Sequence, residues 1–268
     1  VTTIEKQLQA HPRNMRYVLT LSVIIIALFI WSLAAVNLKD IHQSGLNIAQ
    51  NIITGIMNPD LNLLLSVSKQ SVLYLLLETV AIAFLGTIVG AILSVPLAFL
   101  AASNIVPKPV AWLIRLLLIF IRTIPALVYG LMFIRVSGPG PFSGVMTIGI
   151  TSVGMLSKLY VDAIEELDTK VLESMTSIGC TTFEKVRYGI LPQLMSLFLS
   201  VTIYRFDMNM REASILGLVG AGGIGAPLIF AMNGYKWNQV GAILIGLVFL
   251  ILIIEWISNK LRTKLVKG

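Results

Sequence analysis

Sorted into apolar and polar positions, the chain reads as long apolar runs separated by short polar connections. Residues 17–36 carry no charge at all. A bilayer core about 30 Å thick needs roughly 20 apolar residues in helical form, so this run is expected to span a membrane. Further spans are expected at 79–102, 123–136, 144–159, 191–210 and 239–257, about six in all. A second apolar piece, 109–121, leads into the third of these and is interrupted by Arg115, Arg122 and Pro125. Proline removes a backbone donor and clashes with the preceding turn, so a kink is expected there. The pattern predicts an all-α, polytopic integral membrane protein.

Composition agrees. The chain is 56% hydrophobic and 12% charged, about half the charge of a soluble globular domain. Too little polar surface remains to cover a water-facing globule. The net charge of +7 does not point to nucleic acid, because no Lys/Arg stripe interleaved with surface aromatics appears. The one cysteine, Cys180, excludes an intrachain disulfide, and His11 and His42 have no partners at metal-ligand spacing. No metal site is expected.

The positive charges give the expected orientation. With the N-terminus inside, the inner side receives Lys6, Arg13, Arg16, Lys108, Arg115, Arg122, Lys158, Lys170, Lys185, Arg187, Lys260, Arg262, Lys264 and Lys267. That is the larger part of the 20 Lys and Arg residues, so both termini are expected in the cytoplasm. The organisation follows: cytoplasmic tail 1–16, anchor 17–36, external loop 37–77, transmembrane domain 78–258 and basic tail 259–268. Arg13, Arg16, Ala34 and Ala35 give the first run the outline of a signal peptide. It is too long for a cleaved apolar region, and an uncleaved anchor is expected.

Two local patterns refine this outline. In the external loop Leu46, Ala49, Ile52, Ile53 and Ile56 recur at helical spacing. They predict an amphipathic helix, either on the outer membrane surface or packed as a cap on the spans. In the second span Gly86, Gly90, Ser94 and Ala98 form a ridge of small residues on which another helix can approach closely.

The cytoplasmic connection 161–190 is too polar to span, yet keeps Val171, Leu172, Met175 and Ile178 at helical spacing. A short amphipathic helix, a turn at Gly179 where positive φ is tolerated, and a re-entry near Leu191-Pro192 are expected. Glu173-Ser174-Met175, Gly179 and Leu191-Pro192 keep the spacing of the signature loop of ABC importer permeases: Glu-Ala-Ala, three residues, Gly, nine residues, Ile, one residue, Leu-Pro. Ser174 and Met175 replace the alanines, and Gly189 stands in the Ile position. The chain thus resembles that family. The resemblance implies the type I importer permease fold, with Glu173, Gly179, Leu191 and Pro192 in a loop that docks a coupling helix on an ATPase subunit. It further implies two ATPase subunits holding ATP and Mg, an external substrate-binding protein, and a permease homodimer.

Three further stretches resemble the phosphonate-type permeases of this family: Arg122-Thr-Ile-Pro125, the segment 154–160, and the segment 204–211 running into 216–225. That resemblance covers the chain from about Glu78 onward and implies a small anionic substrate such as a phosphonate. Ala126 departs from it, standing where that subfamily has an acidic residue.

Candidate pathway residues are Arg122, Arg205, Asp207 and Arg211, because ionisable groups inside spans default to function. Asp207 and Arg211, four apart, can alternatively pair on one helix face. A guanidinium binds phosphonate oxygens through two parallel hydrogen bonds. Gly220, Gly222, Gly223 and Gly225 satisfy Gly-x-Gly-x-x-Gly, but no βαβ unit surrounds them and no acidic residue lies about twenty positions on, so no dinucleotide site is expected. They are read as an outer gate, by flexible backbone or close packing.

Two other classes compete. An ion-gradient-driven transporter would want acidic or histidine residues at mid-membrane and internal repeats. A membrane enzyme would need a nucleophile–base pair, an acidic pair or a metal-ligand set. No Gly-x-x-x-x-Gly-Lys-Ser/Thr sequence occurs, so a transport subunit powered by ATP hydrolysis in another chain is expected, and no enzyme activity of its own. A different small solute is the alternative substrate.

Overall fold

A computed structural model describes residues 15–35, 43–65 and 71–267. Among these every regular element is a helix. Lys6, His11, Arg13 and His42 lie outside the described residues. The chain divides into two compact units, 1–50 and 51–268. The first holds α1 (Met15–Ala35), whose side chains from Tyr17 to Ala34 are uncharged and exposed, and the start of α2 (Gln43–Met57).

The second unit holds the rest of α2, then α3 (Leu61–Leu65), α4 (Val72–Ala101), α5 (Lys108–Thr123), α6 (Ala126–Ser137) and α7 (Pro141–Glu165). After these come α8 (Thr169–Ser177), a short α9 (Thr182–Glu184), α10 (Leu191–Leu218), α11 (Gly225–Asn233) and α12 (Trp237–Lys267). Among the described residues five helices are long and apolar enough to cross a membrane, and six spans result if the bent pair α5–α6 counts as one.

Helix α7 is the centre of the bundle: 61% of its apolar window is buried, against 33% for α4 and 28% for α12. The small residues set how close α4 comes. A Cβ on Gly86 would lie 2.6 Å from Ile148 Cγ2, and one on Gly90 2.5 Å from Ser152 Cβ. The ridge read from the sequence is therefore the α4–α7 seam. At one end of the bundle Ala98, Leu118, Leu156, Tyr160, Ile190 and Phe198 form a core cluster. At the other, Val72, Leu76, Ile224, Val240 and Ile243 form another.

The expected boundaries stop short. Helix α4 begins at Val72 rather than 79, α7 runs on to Glu165, and α10 to Leu218. The sequence reading ended spans near charges such as Glu78, Asp162 and Arg211, whereas the helices carry them with partners: Glu78 accepts from Gly223 N, Asp162 pairs with Lys158 and Arg211 with Asp207. The third span differs most. Helices α5 and α6 meet at 84°, because Pro125 lacks an N–H and pushes Ile124 into an extended conformation (φ −83°, ψ 123°). The Tyr129 hydroxyl donates to Ile121 O at 3.2 Å, satisfying a carbonyl freed by the break.

For α2, the stretch 51–57 packs as a cap. A Cβ on Gly55 would lie 2.2 Å from Trp237 Cβ, and one on Gly241 2.6 Å from Gly55 O. Only backbone-to-backbone packing on α12 fits that spacing.

Candidate functional site

Two regions concentrate the polar chemistry. The first leaves the end of α7. Glu165 accepts from the Arg115 guanidinium and from Ser103 N and Oγ, while Arg115 Nε donates to Ala101 O at 2.9 Å. Asn104 Nδ2 adds a bond to Ile164 O at 2.9 Å. The base of the loop is thereby fixed to the turn after α4 and to the middle of α5.

Asp168 caps α8, its Oδ1 accepting from Lys170 N at 2.9 Å. The helix ends in a Schellman turn: Cys180 N bonds Met175 O at 3.0 Å, and Gly179 N bonds Thr176 O at 2.9 Å. Gly179 takes φ +85° there, a conformation that disfavours any side chain. Thr181 and Glu184 then cap each other reciprocally to start α9. The chain continues through a π turn, Lys185–Ile190, into α10. Pro192 stands in the first turn of α10, where its missing N–H is tolerated. Leu191 packs on the adjoining core.

The two departures from the family signature touch each other. A Cβ on Gly189 would lie 2.4 Å from Met175 Sδ. The larger residue at 175 occupies the space opened by the smaller residue at 189. The Glu173 carbonyl accepts from Ser177 Oγ at 3.0 Å, while its carboxylate has no hydrogen bond or ion pair among the described residues and helps line a groove of about 360 Å³ with Asn104, Thr176, Thr182 and Lys185. Ile178, Phe183 and Tyr188 project outward, 78%, 70% and 66% exposed. The sequence reading missed Phe183 and Tyr188, since they lie beyond the helix whose periodicity it followed.

The second region lies inside the bundle, on α10. Arg205 is 3% exposed. Its Nε donates to Ser152 Oγ at 3.2 Å; Nη1 reaches Glu212 Oε1 at 3.1 Å and Met155 Sδ at 3.3 Å. Nη2 reaches Glu212 Oε2 at 3.0 Å and Thr151 Oγ1 at 3.3 Å. A guanidinium has five N–H donors, and every one has an acceptor within the chain. Asn209, wholly buried, donates to Thr87 Oγ1 at 2.7 Å and Ser152 Oγ at 2.8 Å, while its own Oδ1 has no partner. Arg211 pairs with Asp207 at 2.8 Å, along one helix face. Sequence reasoning missed the role of Glu212 in this cluster, and missed Thr87, Thr151, Ser152 and Asn209 altogether.

Arg122 differs from both. It was counted with the inner-side charges, but its side chain crosses α7 at the midpoint: a Cβ on Gly154 would lie 2.7 Å from Arg122 Cγ. It sits at the break between α5 and α6, exposed, with no hydrogen bond or ion pair among the described residues. Arg205 binds Ser152 and Met155, which flank this level of α7, yet the two cations are in opposite states, one saturated and one free.

The glycine-rich turn after α10 is held tightly. Gly220, Gly222 and Gly223 take φ +100°, +84° and +72°. Gly223 N donates to Glu78 Oε1 at 3.0 Å, Ile224 N to Thr79 Oγ1 at 2.9 Å, and Gly140 N to Gly220 O at 2.9 Å. A Cβ on Gly225 would lie 2.4 Å from Ser214 O. Of the two readings of these glycines, close packing is the one the turn displays.

Comparison with known proteins adds the ancestry. The family of the binding-protein-dependent transport system inner membrane component matches residues 94–265. The phosphite transport system permease protein PtxC of Stutzerimonas stutzeri is 34% identical over 188 residues, 70% of this chain and 68% of its own length. The phosphate-import permease protein PhnE of Mycolicibacterium smegmatis is 36% identical over 190 residues, which are 70% of this chain but 36% of that protein. In fold, the chain is similar to the inward-facing MetNI methionine ABC transporter, with TM-score 0.61 at 19% identity, over 71% of this chain and 94% of the other. Signature loop, helical architecture and sequence relatives agree: the chain belongs to the family of binding-protein-dependent transport system inner membrane components.

Proposed function

We propose that this permease subunit carries a phosphorus oxyanion, a phosphonate, phosphite or phosphate, across the bacterial inner membrane. Two copies form the pathway. Two ATPase subunits, which hold ATP and Mg, dock on the loops carrying Glu173, Gly179, Leu191 and Pro192, and an external binding protein delivers the substrate. Both termini lie in the cytoplasm. The relatives named for phosphite and phosphate transport support the substrate class.

The observation that carries the reading is Arg122. An exposed, unpaired guanidinium halfway along a span is too costly against lipid and belongs to an aqueous path or a protein interface. There it supplies the anion with the paired donors that an oxyanion takes best. Arg211, half-exposed beside Asp207, adds a second contact on the path. Arg205 and Asp207 set the charge balance of the wall, and the turn at Gly220, Gly222, Gly223 and Gly225 closes its outer end.

The test is ATP-driven uptake of labelled phosphite, methylphosphonate and phosphate into proteoliposomes holding the assembled transporter. Arg122→Gln lowers uptake of the preferred anion by about tenfold or more, the loss of one charge-assisted contact of about 1.5–3 kcal/mol, while ATPase assembly is unchanged. Uptake equal to wild type would sink the role of Arg122, and transport of none of the three anions would sink the substrate class.

A further inference from the structure

We propose that the groove between α4, α10 and α12 is a binding site for an anionic phospholipid, with an acyl chain in the groove and the phosphate at Arg262. The groove has a volume of about 390 Å³ and is walled by Phe84, Ile88, Ile203, Phe206, Ile257 and Leu261. Its hydroxyls are mostly turned away. Thr87 Oγ1 donates to Ala83 O at 2.6 Å and Thr202 Oγ1 to Phe198 O at 2.7 Å, leaving their methyls toward the groove. Such a surface offers nothing to water or to a polar solute, and everything to a hydrocarbon chain.

One end of the groove is different. Ser258 and Leu261 lie where α12 turns from apolar to basic, and the next residue is Arg262. Its guanidinium lies 5.4 Å from the Tyr204 ring, beside the groove residue Ile203, and Lys260 sits 5.2 Å over Trp256. Arg262 Nη2 donates to Asn259 Oδ1, but Arg262 Nε is buried without any acceptor. Among the described residues no carboxylate pairs with Lys260, Arg262 or Lys264. A lipid with an anionic phosphate head and an apolar tail is the ligand whose two ends match these two surfaces, the unpaired cations and the groove. Basic clusters at the end of a transmembrane helix recognise anionic headgroups on the same principle.

The experiment is mass spectrometry of the phospholipid that co-purifies with the detergent-extracted transporter complex, compared with the membrane it came from. The wild type retains anionic glycerophospholipid in excess of its membrane proportion. Arg262→Gln reduces that excess roughly fivefold, the effect of one cation near a charged lipid, and Lys260→Gln with Arg262→Gln removes it. Ile203→Phe, which fills the groove and leaves both cations, lowers the retained lipid of every class. Retention in membrane proportions by the wild type, or unchanged anionic lipid in the double variant, overturns the site. So does a photo-cross-linker at Ile257 that captures a protein helix instead of lipid.

Discussion

The loop 166–190 and the polar cluster on α10 are built by opposite means. In the loop the capping hydrogen bonds close within five residues: Asp168 with Lys170, Thr181 with Glu184, the end of α8 in its own turn at Gly179. In the cluster Arg205 reaches 53 residues back to Ser152, and Asn209 122 residues back to Thr87. The loop is exposed, and its bonds are local. The cluster ties three helices together in a dry interior, and holds only while all three stay in place. On the proposed reading, the loop is a handle for the ATPase and the cluster a seam that couples the helices.

The largest effect tests the seam. Glu212→Gln leaves Arg205 buried without its counter-charge, and such a loss costs about 3–5 kcal/mol. Thermal unfolding in detergent should fall accordingly, whereas the double change Arg205→Met with Glu212→Leu recovers most of it. Equal stability of Glu212→Gln and wild type would mean that the interior pair is dispensable and the contrast with the loop is false.

Next comes the handle. Gly179→Pro cannot adopt φ +85° and loses the bond to Thr176 O, so the turn opens. Membrane insertion and bundle stability stay as in wild type, while ATP hydrolysis no longer drives uptake. Unchanged uptake would count against a docking role for this turn.

The smallest effect is the most discriminating. Gly189→Ile alone forces Met175 out of its seat and lowers coupled uptake severalfold, on the order of 1–3 kcal/mol of overpacking. Adding Met175→Ala, which restores the small residue at 175 and the large one at 189, returns uptake toward wild type. A double variant no better than the single would show that the two departures are independent.

Legibility in the sequence follows the same division. The turn at Gly179 was visible because its cause lies within a few residues, and the ridge Gly86, Gly90, Ser94 because a four-residue rhythm survives in any context. The pairing of Asp207 with Arg211 was readable for the same reason, being one helical turn. The partner of Arg205 was not: Glu212 lies two turns on, and Thr151 and Ser152 are ordinary residues of another helix until packing brings them together. The depth of Arg122 was equally hidden. A charge beside a proline reads as the edge of a membrane span, and only the 84° bend reveals it as the middle of one.

That bend also bears on how the protein is made. Helices α5 and α6 have 16 and 12 residues, or about 24 and 18 Å at 1.5 Å per residue. Each is shorter than the bilayer core of about 30 Å, and a cation stands at their junction. The insertion machinery therefore meets no self-sufficient membrane segment between α4 and α7. The third span is thus expected to depend on α7 for stable insertion into the membrane.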